Sequence, residues 1–251
     1  MINTIFATKK NMSQVWDSNG KRIPITKFKI EPNYVVGEIN TQIKTDKKDA
    51  NSWTDQKVLE IGYGQKKLKN VSHPLRSRLK KLSLNTGLQK IFGIRDIKNT
   101  DALNLGSTVP YQQIFKIGDL VQVKGQTKGR GFAGGMKRHG FHGGPKTHGQ
   151  SDRARAVGSI GNRTTPGRVW LGKRMPGHYG NVNQTVKGLI VAHLDEKNHE
   201  IWLTGPVPGA FNGIVAIKNT NRCKKNFKLD LTASKITQSS DTTPVAQKET
   251  K

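Results

Sequence analysis

The sequence predicts a mainly β fold, in which a small β-barrel with one short helix is interrupted by a long irregular arm inserted between barrel strands. Three observations support this prediction. Short apolar or alternating runs recur in the first and last parts of the chain and end at Gly, Pro or Asn, as strands do. A single stretch places leucines at helical spacing. The segment between the two groups of strands is rich in Gly, Lys and Arg and has almost no periodic apolar pattern.

The strand patterns flank the arm on both sides. They lie at residues 23–30, 34–36, 58–61, 90–97 and 118–124 before the arm, and at 184–194, 200–204 and 213–218 after it. Residues 195–198 have the composition of a hairpin turn. Closing these strands into a barrel would bury a modest core and hide the sheet edges, so we expect a barrel that is split by the arm.

One short amphipathic helix is predicted near residue 72. Ser72 is a residue type that caps helices, and Pro74 suits a first turn, where its missing N–H is not needed. Leu75, Leu79 and Leu82 then follow at i, i+4 and i+7, which places them on one face of the helix.

The charge of the chain is strongly one-sided. Lys and Arg number 43 against 17 Asp and Glu, a net charge of +26 at pH 7. Residues 121–187 alone hold 13 basic side chains and one acidic residue, Asp152. Such a surface repels itself unless an anion covers it. Because this segment cannot build a core of its own, we expect it to be ordered by an extended polyanion.

Composition also excludes several classes of protein. Cys223 is the only cysteine, so an intramolecular disulfide and a Cys-built zinc site are excluded, and a reducing compartment fits best. No apolar run approaches the roughly 18 residues that a membrane span requires. The first ten residues show no targeting pattern. We therefore expect a cytoplasmic protein of bacterial rather than organellar origin, with no membrane partner.

Residues 129–134 spell a G-x-G-x-x-G motif, and Asp152 follows about twenty residues later. A dinucleotide site also requires that this glycine turn open a helix inside a βαβ unit. Further glycines and Pro145 limit any helix to a turn or two around residues 136–139, and no parallel strand returns. We expect no cofactor and no small-molecule substrate.

Metal binding and catalysis also lack a supporting pattern. His139, His142 and His148 would suffice as imidazole ligands, but they do not share one helix face, and neighbouring lysine and arginine side chains would repel a metal ion. Cys223 has no His or Asp placed by sequence to act with it. We expect no metal site and no enzymatic activity.

The arm instead has the composition of an RNA-binding segment. Lys and Arg bind phosphates, Gly allows close backbone approach, and aromatic rings stack on unpaired bases. The interleaved rings are Phe132, Phe141, Trp170 and Tyr179. RNA is favoured over DNA because no recognition helix is visible. A basic loop without a partner, a nucleotide-binding enzyme and a sequence-neutral DNA-compacting protein remain the alternatives.

Several long motifs resemble one known family. Residues 116–141 read KIGDLVQVKGQTKGRGFAGGMKRHGF. Further matching motifs lie at 147–149, 158–161, 165–169, 172–177, 9–17, 61–67 and 204–209, so that the match covers roughly residues 1–218. Together they resemble the universal large-subunit ribosomal protein L-three family, bacterial type. The resemblance implies a structural constituent of the large ribosomal subunit with a translation-factor-like β-barrel.

The same resemblance implies where each part of the chain acts. Residues 1–124 and 185–218 would form the split barrel on the subunit surface. Residues 125–184 would form an arm that penetrates the large-subunit (23S-type) ribosomal RNA toward the peptidyl-transferase centre. Early binding in assembly, near the 3′ region of that RNA, and contact with neighbouring large-subunit proteins are also implied. Residues 219–251, a basic tail rich in Ser and Thr, have no counterpart and are expected to be disordered.

Carried onto this chain, the tip of the arm falls at residues 158–168, between two phosphate-clamping legs at 124–146 and 173–179. The residues nearest the catalytic RNA would be Ser159, Ile160, Asn162 and Arg163. The full set of predicted RNA-binding residues is Lys124, Lys128, Arg130, Phe132, Lys137, Arg138, His139, His142, Lys146, His148, Arg153, Arg155, Ser159, Asn162, Arg163, Arg168, Trp170, Lys173, Arg174 and His178.

Two positions depart from the family pattern. Asn11 stands where the family has Gly before Met, so the family's local turn is not expected to carry over unchanged. Residues 162–164 read Asn-Arg-Thr where some bacterial members carry a methylated Gln, so we expect no such modification here.

Overall fold

The computed structural model describes residues 2–44, 53–95, 104–224 and 229–230. The chain falls into two compact units. Unit 1 comprises residues 1–125 and 184–251, and unit 2 comprises residues 126–183. Unit 1 is therefore built from two separate chain segments, and unit 2 from the single segment between them.

The described elements are mostly strands, which confirms the predicted mainly β class. The strands are β1 (Thr4–Asp17), β2 (Arg22–Lys29), β3 (Asn33–Lys44), β4 (Trp53–Lys66), β5 (Gly87–Ile94), β6 (Asp119–Gln126), β7 (Phe132–Ala133), β8 (Gly177–His178), β9 (Asn183–Asp195), β10 (Glu200–Thr204), β11 (Ile214–Cys223) and β12 (Leu229–Asp230). The helices are α1 (His73–Lys81), α2 (Tyr111–Ile114) and α3 (Gly135–His139), with a 3-10 turn at Leu68–Asn70. None of the helices in the described ranges has the length and apolar character needed to cross a membrane.

Six strands of unit 1 pair in a closed circuit. The larger sheet has the order β11-β6-β9-β10-β2-β1-β12, and β1 also pairs with β11. That closing pair is antiparallel, with Thr4 opposite Lys218 and Thr8 opposite Ile214. A second sheet has the order β3-β4-β5. In this circuit each strand has a neighbour on both sides, so the backbone groups at both of its edges can be hydrogen-bonded. Hiding the sheet edges is what the sequence analysis expected of a barrel.

The largest apolar cluster of unit 1 draws on both sheets. Phe28 and Ile217 from the strand circuit are fully buried together with Ile61 and Tyr63 of β4. The Tyr63 hydroxyl lies 2.7 Å from the Thr8 hydroxyl, so this buried polar group has a hydrogen-bond partner. The two sheets therefore share one interior.

The predicted short helix is α1. Pro74 lies in its first turn, and Ser72 occupies the N-cap position but makes no side-chain hydrogen bond to the helix. Leu79 is fully buried, and Leu75 and Leu82 pack against the same small apolar cluster. The i, i+4, i+7 pattern therefore identifies the packed face correctly.

The predicted hairpin at residues 195–198 joins β9 to β10. Asp195 is paired with Glu200, and its carboxylate accepts hydrogen bonds from the backbone N–H groups of Lys197 at 3.1 Å and Asn198 at 3.3 Å. The Asn198 side chain also donates to this carboxylate at 2.7 Å, and that bond is the main reason that the pKa of Asp195 lies below its ordinary value. One aspartate thus holds the turn.

The family-like motif at residues 9–17 forms the last nine residues of β1. Its register with β2 shifts between Lys9 and Met12. Asn11, the departure from the family pattern, therefore lies in a strand irregularity.

The strand end predicted at residue 218 is wrong, because β11 continues to Cys223. Asn219 is buried, and its side-chain amide donates to the Ile114 carbonyl at 2.6 Å and to the Asp119 carboxylate at 3.0 Å. The polar residues from 219 onward led the sequence analysis to assign them to the tail. The Asn219 amide is instead hydrogen-bonded to residues distant in sequence, which allows the strand to continue. Apart from β12, residues 225–251 lie outside the described residues, and the predicted disorder of the tail falls there.

Candidate nucleic-acid interface

Unit 2 begins and ends as two chain segments that are hydrogen-bonded to each other. The Thr127 N–H donates to the Val182 carbonyl at 2.9 Å, and the Arg130 N–H donates to the Tyr179 carbonyl at 2.9 Å. Farther along, β7 pairs antiparallel with β8. The two predicted legs therefore run side by side, joined through main-chain hydrogen bonds rather than through a core of their own.

The legs approach most closely at Gly180. A Cβ atom added there would lie 2.1 Å from the Lys128 carbonyl oxygen, which is too close for any side chain. Gly180 also has a φ of +76°, a conformation that glycine adopts without a steric penalty. Glycine at this position lets the two backbones come together.

The G-x-G-x-x-G motif leads into α3, which has five residues. The helix ends at Gly140, which has the left-handed conformation common after helix C-termini. The Arg138 guanidinium and the His139 ring both hydrogen-bond the Met175 carbonyl, at 2.6 and 3.1 Å. In residues 126–183, all of which are described, the strands beside this helix are antiparallel. The short helix predicted there is confirmed, and it is not part of a βαβ unit.

The predicted tip, residues 158–168, is open to solvent. Every residue in it is exposed except Pro166, which is half-buried. Ser159, Ile160, Asn162 and Arg163 therefore all present their side chains to solvent. The Ser159 hydroxyl donates to the Gly161 carbonyl at 2.9 Å, a local contact that shapes the turn.

Nearly all the predicted RNA-binding residues are exposed. Within that set, Arg138 and His139 are half-buried, and they are the two held to Met175. Lys124 is exposed and lies on β6 in unit 1, opposite Ala216, in the strand predicted at residues 118–124 and at the first residue of the predicted leg. The structure thus gathers the rest of the set in unit 2.

Among the described residues, no ion pair neutralises the cations of unit 2. This unit holds eleven Lys and Arg and a single acidic residue, Asp152. The ion pairs found among the described residues, Lys57 with Glu38 and Arg78 with Glu60, both lie in unit 1. The positive field of unit 2 is therefore directed at whatever anion approaches it.

Aromatic side chains lie among these cations. The Arg130 guanidinium is 5.2 Å from the centre of the Tyr179 ring, and the Arg168 guanidinium is 5.8 Å from the Trp170 ring. Phe132 is 80% exposed and Trp170 is 59% exposed, which is unusual for such large apolar groups. Exposed rings beside arginines are suited to stacking on unpaired bases.

The predicted set of RNA-binding residues leaves out three side chains that the structure places in this surface, although the sequence did mark the rings of Phe141 and Tyr179 among the interleaved aromatics. Tyr179 contacts Arg130, and Phe141 lies 5.8 Å from the His139 ring. Leu171 is 99% exposed. Leu171 could have been recognised from the sequence, because it is an apolar residue directly after Trp170 in a basic segment. The contact of Tyr179 with Arg130 could not, because it depends on the register between the two legs.

The three histidines weighed as metal ligands are not grouped as a site. His139 is held to the Met175 carbonyl, while His142 and His148 are exposed. Across the described ranges, no group of three His, Cys, Asp or Glu side chains could hold a metal ion.

Comparison with known families identifies the chain's relatives. A family model described as Ribosomal protein L3 matches residues 8–205, which is most of the chain. The chain belongs to the ribosomal protein L3 family. This membership confirms the family resemblance of the sequence motifs, and it confirms the prediction of a structural ribosomal protein rather than an enzyme.

Individual L3-family relatives align with nearly the whole chain. The large ribosomal subunit protein uL3 of Herpetosiphon aurantiacus is 41% identical over 90% of this chain and 100% of its own length. The uL3 of Persephonella marina is 40% identical over 92% of this chain and 96% of its own length. The uL3 of Aquifex aeolicus is 40% identical over 90% of this chain and 89% of its own length. Both units therefore have counterparts in these relatives.

Proposed function

We propose that this chain is a structural constituent of the large ribosomal subunit, acting in the cytoplasm, and that it binds large-subunit ribosomal RNA through the exposed cations of unit 2. The names of its relatives as large ribosomal subunit proteins support the place in the subunit. The observation that supports the RNA contact is the charge of unit 2, which has eleven basic residues and one acidic residue. The ion pairs found among the described residues lie in unit 1 and involve none of these cations.

The shape of unit 2 favours folded RNA over duplex DNA. Sequence-specific readers of DNA commonly place a helix in the major groove, and α3 is five residues long. Irregular segments with exposed aromatic rings instead suit RNA, whose loops and bulges offer unstacked bases. Exposed Phe132 and Trp170 supply such rings.

Two finer parts of the proposal rest on the family resemblance of the motifs in unit 2. The tip, residues 158–168, is directed toward the peptidyl-transferase centre, and the exposure of all its residues except half-buried Pro166 is compatible with contact to RNA there. Binding takes place early in subunit assembly, near the 3′ region of the large RNA, beside neighbouring large-subunit proteins. In this proposal unit 2 neutralises and positions phosphates around the RNA active site and performs no chemistry itself.

Charge removal in unit 2 tests the RNA contact. The variant replaces three exposed cations of unit 2 together with Gln in the full chain: Lys146, Arg155 and Arg163. The matched control changes one exposed lysine and two exposed arginines of unit 1, Lys197, Arg22 and Arg222, to Gln. Affinity for a large-subunit rRNA fragment is measured over a range of salt concentrations.

The unit 2 variant should bind more weakly, and the slope of log affinity against log salt should shrink by about 2 to 3, since each phosphate contact contributes about 0.7 to 0.9. The control should change the slope less. Equal effects of the two variants, or an affinity that does not depend on salt, would contradict the proposal. If duplex DNA competes as well as the rRNA fragment at equal phosphate and equal salt, the chain is a DNA-compacting protein instead.

A further inference from the structure

Unit 2 contains a cavity of about 570 Å³ between the end of α3 and the segment at residues 150–158. Resting on the proposed function, we infer that this cavity holds one unstacked nucleotide of the bound RNA, with its base against the ring of Phe141 and its phosphate beside Arg153 and Arg174. The volume lies in the range of about 300–1,000 Å³ that small-ligand sites occupy. The site adds a single-nucleotide contact to the general attraction of the cations.

An aromatic wall is built into one side of the cavity. The Phe141 ring packs so closely on Gly135 that a Cβ atom added to that glycine would lie 2.8 Å from the ring and 3.2 Å from Val157. The His139 ring is 5.8 Å from the Phe141 ring and is tilted by 33°. Because Phe141 is fixed before any ligand arrives, stacking a base on it costs little side-chain entropy.

The His139 side of the wall is also held in place. The Met175 carbonyl accepts hydrogen bonds from both Arg138 and the Nε2 atom of His139. Since a carbonyl oxygen can only accept, the Nε2 atom of the His139 ring is the donor in this hydrogen bond. The wall therefore combines an apolar ring with a hydrogen-bonding ring, which matches the face and the edge of a base.

Backbone packing also brings a cation to the cavity. The Gly144 N–H donates to the Ala154 carbonyl at 3.1 Å, and a Cβ atom on Gly143 would lie 2.3 Å from the same oxygen. These contacts press residues 143–144 against residues 153–154, so the backbone that carries Arg153 is held beside the cavity that its side chain lines.

The lining as a whole is selective for a nucleotide. Arg153 and Arg174 both line the cavity and are exposed, and none of the lining residues is acidic. Guanidinium groups bind phosphate through paired hydrogen bonds. Gln150 adds an amide that can donate to and accept from a base edge. A flat aromatic surface beside two guanidinium groups fits an anion that also carries a flat ring.

A substitution that removes the ring but keeps apolar volume tests the stacking. Phe141→Leu is compared with Phe211→Leu, which alters a 65% exposed phenylalanine of unit 1. Binding of the full chain to a large-subunit rRNA fragment is measured over a range of salt, and base reactivity in the RNA is mapped by chemical probing. We expect Phe141→Leu to weaken binding by roughly 5- to 100-fold, the range found for loss of one stacked base. The salt slope should stay unchanged, because stacking releases no counterions.

Three further measurements separate this site from a general loss of structure. Phe141→Tyr keeps the ring and should bind nearly as wild type does. Arg153→Gln should reduce the salt slope by about 0.7 to 0.9, as expected for one lost phosphate contact. In the probing experiment, Phe141→Leu should expose one unpaired base while its neighbours stay protected.

Each remaining outcome overturns the inference. The inference fails if Phe141→Leu binds as wild type does, or if Phe141→Tyr loses as much affinity as Phe141→Leu. It also fails if Phe141→Leu has a smaller salt slope than wild type. Suppose that 5′-AMP binds the wild-type chain stoichiometrically and that Phe141→Leu weakens this binding but not the binding of the rRNA fragment. The occupant of the cavity would then be a free nucleotide and not RNA. If wild type shows no salt-dependent rRNA binding, the proposed function itself fails before Phe141 is tested.

Discussion

The two units of this chain are ordered in different ways. In unit 1, strands from two sheets enclose an apolar cluster in which Phe28, Ile61 and Ile217 are inaccessible to solvent. None of the residues of unit 2, all of which are described, belongs to an apolar core cluster. Its legs are joined by main-chain hydrogen bonds, and glycines let the backbones approach each other.

The difference shows how one chain can hold a surface that a folded core would not tolerate. Burying apolar side chains orders unit 1 and leaves its charges spread over the outside. Unit 2 leaves even large rings in solvent, with Phe132 80% exposed, and its cations form no ion pair with any residue that the structure describes. The apolar core and the exposed cationic surface therefore lie in different segments of the chain.

The largest expected effect comes from deleting the same side chain in both units. Phe28→Ala removes a fully buried ring and should lower the free energy of unfolding by about 3–5 kcal/mol. Phe132→Ala removes an exposed ring and should change it by no more than about 0.5 kcal/mol. Chemical denaturation of both full-length variants measures the difference. Similar losses in the two variants would show that unit 2 also depends on a core.

A smaller effect tests the close approach of the legs. Gly131 and Gly180 both have positive φ, but an added Cβ meets the Lys128 carbonyl at Gly180 and nothing within 4 Å at Gly131. Gly131→Ala should cost about 1–2 kcal/mol of local stability from backbone strain, and Gly180→Ala should cost more. Hydrogen exchange at the Arg130 and Tyr179 amides reports the local opening. Equal exchange rates in the two variants would mean that the legs do not depend on this contact.

The smallest effect concerns a buried polar group of unit 1. Burial raises the pKa of Tyr63 to about 12, against an ordinary value of about 10. Tyr63→Phe leaves the Thr8 hydroxyl without this partner and should cost about 1 kcal/mol at neutral pH.

The pH dependence of Tyr63 follows from the sign of its pKa shift. Because the folded pKa exceeds the unfolded one, this contribution to stability is complete below pH 10 and declines as the pH rises through 12. The advantage of wild type over Tyr63→Phe in unfolding free energy, measured from pH 8 upward, should therefore shrink as the pH rises above 10. A Tyr63 phenolate that forms near pH 10 in the folded protein would contradict the burial.

Periodicity predicted much of unit 1. The leucine spacing of α1 and the alternation of its strands depend on neighbouring residues, and both patterns match the structure. The end of β11 was missed because Asn219 is satisfied by Ile114 and Asp119, about a hundred residues away in the chain. Local patterns carry no information about such partners.

In unit 2 the sequence identified the charged residues but not their arrangement. Lys128, Arg130 and the residues of the tip were predicted and are exposed. The cavity at Phe141 was not predicted, because Gly135, Val157 and Arg174 meet there only after the chain folds back on itself.

By itself, the sequence determined that this chain has strands around a modest apolar core and one helix with leucines on one face. It also determined that a cationic, glycine-rich segment without apolar periodicity is inserted between them. These properties depend on residue type and spacing, and folding cannot alter them. The tertiary structure alone decided that six strands pair in a circuit, that Gly180 meets Lys128, and that a ring and two guanidinium groups line one cavity. Such contacts join residues far apart in the chain, and their geometry is set by the backbone path between them.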